Sequence, residues 1–231
     1  MEETLEQQPT QQQAEQLTTV PTAEAPARKT AKEVLKDYFT ATRIAYIAIF
    51  TALSFAIRFL QFAILPAVSY LKFDFSDTFV LICGYSLGPV AGVVTLILKE
   101  LLYGIVNTST AFVGELANVL ITLPMLLITS ILYKKYKGIK AVIVGMVIAC
   151  VVRVIWCFPV NWLLNFPVFV GFDWNKGMSM FIKAWYWVEL FNLIKTAILA
   201  VVVMLLYKPL SKLIQLTSEK FDRREKIAKI R

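Results

Sequence analysis

Long, nearly uncharged apolar segments constrain this chain more than any other feature. Four of them approach or exceed the ~20 residues that an α-helix needs to cross ~30 Å of hydrocarbon. They cover about residues 44–65, 115–133, 139–164 and 181–207. Two shorter segments, about 78–87 and 90–106, are interpreted as spanning helices joined by a tight Gly88-Pro89 turn, with a re-entrant hairpin as the alternative. The sequence therefore predicts an all-α, integral membrane bundle of six transmembrane helices.

The composition supports a membrane protein and argues against several kinds of catalysis. Hydrophobic residues make up 58% of the chain and charged residues 17%, whereas soluble domains have about 45–50% and 25%. The chain has no His, which removes the commonest general base and metal ligand. The three cysteines lie in apolar runs and are interpreted as small buried side chains: Cys83, Cys150 and Cys157. We expect no catalytic residues, no metal site and no cofactor.

The distribution of basic residues predicts the orientation of the bundle. With six crossings and the N-terminus inside, 17 of the 24 Lys and Arg residues fall on the inner side. They occupy residues 28–43, 134–140 and 208–231. Cytoplasmic segments of membrane proteins carry such an excess. We therefore expect both termini to be cytoplasmic, and the net charge of +8 to meet membrane lipid rather than nucleic acid.

Four regions follow from these patterns. Residues 1–30 are polar and Gln-rich, which predicts a disordered cytoplasmic tail, with a docking tail for a partner as the alternative. Residues 31–43 are interpreted as a basic segment on the membrane surface. Residues 44–207 form the predicted six-helix membrane domain, and residues 208–231 form a basic cytoplasmic tail.

Ionisable residues inside apolar segments are expensive and by default face protein or water. Four of them lie near predicted helix ends and are interpreted as snorkelling to the interface: Lys99, Glu100, Glu115 and Lys183. Arg153 is deeper and is predicted to pair with Glu189 as a tie between the fifth and sixth helices. Lys195 lies roughly 20 Å along its helix, where an ammonium group needs a partner or a wet cavity.

Amide side chains accompany these charges in the outer half of the predicted bundle. They come from three helices: Glu115 and Asn118, Asn161 and Asn165, and Asn192 and Lys195. The polar loop 70–77 lies on the same side of the membrane. The grouping predicts a ligand pocket that opens to the outside, and the alternative is hydrogen bonding between helices.

Small residues recur on the first helix at four-residue spacing. They are Ala48, Ala52 and Ala56. Such a stripe lets another helix approach closely, either within this protein or from a partner.

Five short stretches, taken together, resemble the substrate-binding S components of energy-coupling factor (ECF) vitamin transporters, most closely the riboflavin-binding members. They are LKFDFSD at 71–77, LGPVAG at 87–92, GELAN at 114–118, Asn161 followed by Pro167, and FNLIK at 191–195. The resemblance covers about residues 43–210. One departure is Thr196, which stands where the family has Gly after the sixth-helix Lys.

The resemblance implies a non-enzymatic, multi-pass protein of the bacterial cell membrane that captures riboflavin, a transported ligand, from outside. It implies docking of the Ala48, Ala52 and Ala56 stripe on a transmembrane coupling subunit driven by two cytoplasmic ATPase subunits. It assigns the ligand site to Asn118, Asn161, Asn192 and Lys195, with the Asp74 loop as its lid. Glu115, from the grouping of polar residues, is the sixth residue predicted to bind ligand.

Aromatic residues could supply the flat apolar slot that a flavin ring needs. The candidates are Phe112, Phe158, Trp162, Phe166 and Phe169. Three alternatives stay open. One is an S component for another vitamin or small molecule, and one is a membrane-embedded enzyme. The third is a secondary transporter driven by an ion gradient through Glu115, Glu189 and Arg153.

Overall fold

The computed structural model describes residues 38–107 and 111–230, and these residues are mainly helical. The principal helices are α1 (Ala41–Arg58), α2 (Ser76–Leu87), α3 (Pro89–Asn107), α4 (Val113–Tyr136), α5 (Gly138–Val160) and α6 (Trp174–Ile230). A π-helix (Asn161–Asn165) and a single α-helical turn (Phe166–Phe169) extend α5 toward α6. The predicted tail 1–30 and residues 31–37 of the predicted basic segment lie outside the described residues.

In the part of the chain that the structure describes, five helices are long and apolar enough to cross a membrane: α1, α3, α4, α5 with its extension, and α6. Helix α2 has 12 residues, about 18 Å at 1.5 Å per residue, which is shorter than the ~30 Å hydrocarbon core. Eleven of its residues are buried. Helix α2 therefore lies inside the bundle, surrounded by protein.

The connection from α1 to α2 is irregular, and α1 ends earlier than the apolar pattern indicated. The Phe59 N–H bonds back to the Ala56 and Ile57 carbonyls, which closes the helix at Arg58. Two short antiparallel strands follow, β1 (Phe62–Ala63) and β2 (Lys72–Phe73). A 3₁₀ turn (Pro66–Val68) lies between them. The segment predicted as the last turns of the first helix is therefore part of this irregular connection. The connection, residues 59–75, crosses one end of the bundle and is called the strap below.

The predicted Gly88-Pro89 turn is confirmed. Gly88 has φ +97°, in the left-handed region that favours glycine, and its N–H bonds to the Gly84 carbonyl at 3.0 Å. Pro89 then begins α3, where its missing N–H costs no helical hydrogen bond. The turn brings α2 and α3 side by side.

Close packing places α2 at the centre of the bundle. A Cβ on Gly92 would lie 3.0 Å from the Cα of Gly84, so α3 and α2 touch through their backbones. A Cβ on Gly84 would overlap Ser130 of α4. At the end of the bundle away from the strap, Tyr133 links Tyr85 and Tyr207, with ring centroids 5.0 and 5.9 Å apart.

Helix α6 continues through the predicted boundary at residue 207. Its last turns pack on the beginning of α1, where the buried ring of Phe221 lies 4.6 Å from the Arg43 guanidinium. Lys137, at the turn between α4 and α5, donates to Asp222 at 2.8 Å. The basic C-terminal segment is thus helical and held against the bundle through residue 222.

Candidate ligand-binding site

A cavity of about 500 Å³ lies between the α1–α2 strap, α3, α4, α6 and the α5 extension. This volume is within the range of small-molecule sites. Five of the six residues predicted to bind ligand line it: Glu115, Asn118, Asn161, Asn192 and Lys195. The sixth, Asp74, is fully buried and is not among the described lining residues. The strap reaches the cavity through Tyr70, Leu71 and Lys72 instead.

The π-helix presents two of the amides on one side of the cavity. Asn161 donates to the Cys157 carbonyl at 2.9 Å, and Asn165 donates to Asn161 Oδ1 at 3.0 Å. The Phe166 N–H bonds to the Asn161 carbonyl, the i to i+5 pattern that widens a helix. This widening sits where Pro167 follows and has no N–H to continue an α-helical ladder.

Lys195 enters a buried network of charges that forms the other side of the cavity. Its Nζ lies 3.2 Å from Asp77 Oδ2 and 3.8 Å from Asp74 Oδ2. It also donates to Asn118 Oδ1 at 3.1 Å. The expectation that this ammonium group needs a partner is confirmed.

The rest of the network joins α1, α2 and α3. Lys99 Nζ lies 2.6 Å from Asp77 Oδ1 and 2.8 Å from Glu100 Oε1. Arg58 pairs with Asp74 and lies 3.5 Å from Glu100 Oε2. The interpretation of Lys99 and Glu100 as snorkelling residues is therefore wrong. Both are almost completely buried because their part of α3 faces α2 and α4 rather than lipid.

The same interpretation fails for Glu115 and fits Lys183. Glu115 is 6% exposed and lines the cavity. Glu115 lies in the first turn of α4, and this end of the helix forms one side of the site. Lys183 is exposed on α6.

Asn118 is the link between the network and the cavity. Its Nδ2 donates to Glu100 Oε1 at 2.5 Å, and a longer bond reaches Asp77 Oδ1 at 3.5 Å. Its Oδ1 accepts from Lys195. The network therefore determines which end of this amide faces the carboxylates.

The predicted pair between Arg153 and Glu189 is wrong. The Arg153 side chain turns toward α4, where Nη1 donates to Thr122 Oγ1 at 3.5 Å and Met125 Sδ at 3.3 Å. Within residues 38–107 and 111–230, no carboxylate lies within 4.0 Å of this guanidinium. Both carboxylate oxygens of Glu189 are buried without a hydrogen-bond partner in that same part of the chain.

Only part of the predicted aromatic slot lines the cavity. Phe166 and Phe169 do so. Phe158 instead packs beside Trp162, Phe181 and Trp185 on the outside of α5 and α6. The ring of Phe112 fills the space that Gly104 leaves open.

Sequence reasoning missed other lining residues on the strap and α3. Gln61 donates to the Tyr103 hydroxyl at 2.5 Å, and Asn107 donates to the same oxygen at 2.9 Å. The i, i+4 spacing of Tyr103 and Asn107 was a signal that both share a helix face. Gln61 was assigned to the interior of the first helix, which concealed it.

Comparisons with known proteins agree on one family. The family model described as "ECF transporter, substrate-specific component" matches residues 42–207. A protein of Staphylococcus aureus named Riboflavin transporter RibU is 29% identical over 75% of this chain and 92% of its own length. Riboflavin transporter FmnP of Bacillus subtilis is 26% identical over 71% and 90%. A solved structure described as the S component of a bacterial ECF transporter superposes with a TM-score of 0.63 at 29% identity, covering 75% of this chain and 97% of that one.

Proposed function

Because the chain belongs to the substrate-specific components of ECF transporters, multi-pass proteins of the bacterial cell membrane, we propose that it binds riboflavin and delivers it to the cytoplasm. The observation that carries the proposal is the cavity, which combines amides from five elements, the strap, α3, α4, the π-helix and α6, with a buried lysine. The relatives named riboflavin transporters supply the ligand class.

The chemistry of the lining suits a flavin. The ring has two apolar faces and an edge of carbonyl and imide groups, which needs both donors and acceptors. Asn192 Nδ2 is bound to the Val188 carbonyl at 2.9 Å, so the amide oxygen is available to accept from an imide. Phe166, Phe169 and Phe191 supply apolar surface for the ring faces.

The proposed topology has six crossings with both termini in the cytoplasm. The excess of basic residues at both chain ends and between α4 and α5 supports this orientation. Helix α2 alone is too short, but the extended segment before it, β2 (Lys72–Phe73), adds about 7 Å at 3.3 Å per residue. In this proposal the extended segment and α2 together make the second crossing.

Family membership implies assembly with the membrane and ATPase components of an ECF transporter. We propose two ATPase subunits and a docking surface on α1, where Ala48, Ala52 and Ala56 are all exposed. Small residues on an exposed face permit the close helix contact that membrane assembly uses. The chain would then act by binding and translocation, with ATP hydrolysis elsewhere and no chemical change to the vitamin.

Binding and uptake can be separated in one experiment. We expect the purified protein to quench riboflavin fluorescence, and proteoliposomes with the coupling and ATPase components to take up riboflavin when ATP is supplied. Ala52→Leu should keep binding and lower uptake at least severalfold, because the added side chain holds the partner helix away. Val144→Phe, on the exposed face of α5, is the control and should leave both unchanged.

Three outcomes would contradict the proposal. Absence of quenching would remove riboflavin as the ligand. Uptake by this chain alone that collapses with a protonophore would indicate a secondary transporter. Full uptake by Ala52→Leu would remove α1 as the docking surface.

A further inference from the structure

Arg153 is a buried cation in the cavity wall with unused donors. It is 1% exposed and lines the cavity from α5. Among residues 38–107 and 111–230, its Nη1 reaches a hydroxyl at 3.5 Å and a thioether at 3.3 Å and no other acceptor. Its Nε has no acceptor in the described part of the chain. A guanidinium has five N–H donors, so most of its hydrogen-bonding capacity is unmet by the described residues.

The other buried cations at the site differ from Arg153. Lys195, Lys99 and Arg58 each lie within 4.0 Å of two carboxylates. A buried charge is strongly unfavourable unless it is paired and hydrogen-bonded. For the three paired cations the protein supplies that compensation itself. For Arg153 the hydrogen-bond partners among the described residues are Thr122 and Met125, which are weak acceptors, and the carboxylates of Asp77 and Asp74 act on its charge only from a longer distance.

The surroundings favour a strong interaction with a ligand. Apolar side chains of Ile121, Val188 and Phe191 line the same cavity, and a low local dielectric strengthens a charged hydrogen bond. The planar fork of a guanidinium matches two adjacent acceptors in one plane. A flavin ring offers such a pair where each carbonyl oxygen lies beside an unprotonated ring nitrogen, N1 or N5, whereas ribityl hydroxyls both donate and accept and are equally served by amides.

Resting on the proposed function, we infer that Arg153 is a further ligand-binding residue, whose guanidinium donates to acceptor atoms on the carbonyl edge of the flavin ring. The alternative is a structural role, in which Arg153 only ties α5 to α4 through Thr122. The two roles predict opposite changes in the stability of the ligand-free protein. Removing a residue that ties two helices together destabilises the protein, whereas removing a buried charge that the described residues compensate only in part does not.

The test measures binding and stability in the same variants. Arg153→Gln and Arg153→Lys are compared with the wild type and with Lys140→Gln, an exposed charge on the same helix. The ligands are riboflavin and lumiflavin, which has the same isoalloxazine ring with a methyl group in place of the ribityl chain. We expect Arg153→Gln to weaken both ligands by about 10- to 100-fold, as for loss of a charged hydrogen bond, with an unchanged or higher Tm without ligand. Arg153→Lys should recover part of the affinity, and Lys140→Gln should match the wild type.

Several results would overturn the inference. Wild-type affinity in Arg153→Gln would overturn it and leave the proposed function intact. Weaker binding of riboflavin alone would move the contact to the ribityl chain and reject the ring edge. A lower Tm in both Arg153 variants, without ligand, would support the structural role. A wild-type protein that binds neither ligand would remove the proposed function and this inference together.

Discussion

The two sides of the cavity use buried polar groups in opposite ways. On the side of α1, α2 and α3, three cations and three carboxylates compensate one another: Arg58, Lys99, Lys195, Asp74, Asp77 and Glu100. On the side of the α5 extension, amides bond mostly to their own helix, and the acceptors that the described residues offer Arg153 are weak. A mutually satisfied network holds helices together, whereas unused donors and acceptors are what a ligand site requires.

The difference also separates two contributions to function. The network orients Asn118 and Lys195 before any ligand arrives, which reduces the entropy lost on binding. The α5 side supplies amide and guanidinium groups that keep hydrogen-bonding capacity for a ligand. Substitutions on the first side should therefore affect stability most, and substitutions on the second side should affect affinity most.

The largest expected effect is on stability, from Asp77→Asn. Asp77 lies 2.6 Å from Lys99 Nζ and 3.2 Å from Lys195 Nζ, so its loss leaves two buried ammonium groups poorly compensated. We expect a loss of about 3–5 kcal/mol in the free energy of unfolding, measured by denaturant unfolding in mild detergent. The control is Asp173→Asn, whose partner Lys176 is 77% exposed, and it should show no resolvable change. An equal loss of unfolding free energy in the two variants would show that the charge network does not stabilise the fold.

An intermediate effect is expected on affinity, from Asn192→Ala. The Asn192 side chain is 5% exposed, and the described hydrogen bond that it makes is to the Val188 carbonyl of its own helix. We expect the Kd for riboflavin to rise by about 3- to 10-fold, the value of one neutral hydrogen bond, with little change in Tm. Fluorescence quenching measures it, with exposed Asn175→Ala on the same helix as the control. A large fall in Tm with unchanged Kd would place Asn192 among the structural residues.

The smallest effect is expected from Glu189→Gln. Arg153 turns toward α4, and both Glu189 oxygens are buried without a partner in the described part of the chain. Removing this charge should leave the free energy of unfolding unchanged or slightly higher, and riboflavin affinity should stay at the wild-type value. Thermal unfolding with and without ligand measures both. A loss comparable to that of Asp77→Asn would restore Arg153 and Glu189 as a tie between α5 and α6.

Depth along the helices was predictable, but the direction of each side chain was not. Counting residues from the helix ends placed Asn118, Asn161, Asn192 and Lys195 at one level, and the structure brings them to one cavity. The same counting assigned Lys99 to the membrane interface. It failed there because the rotation of α3 about its axis is set by contacts with α2 and α4.

Pairing between helices was also beyond the linear pattern. Arg153 and Glu189 have compatible depth and opposite charge, yet the bundle turns Arg153 toward Thr122. Two of the five residues predicted to form the aromatic slot line the cavity. Phe158 does not, because it packs among aromatic residues of α5 and α6. Gln61 was missed because hydropathy does not show that α1 ends at Arg58.

By itself, the sequence determined that this chain is a helical membrane protein with a tight Gly88-Pro89 turn and a polar group of residues at one depth. These properties depend on segment length, apolar content and local backbone preference, which a linear pattern contains. Only the tertiary structure decided which charges compensate one another and that Arg153 faces the cavity with no carboxylate of the described residues within 4.0 Å. Those outcomes depend on helix rotation and on contacts between residues far apart in the chain, where the energy of burying each charge is settled by its neighbours.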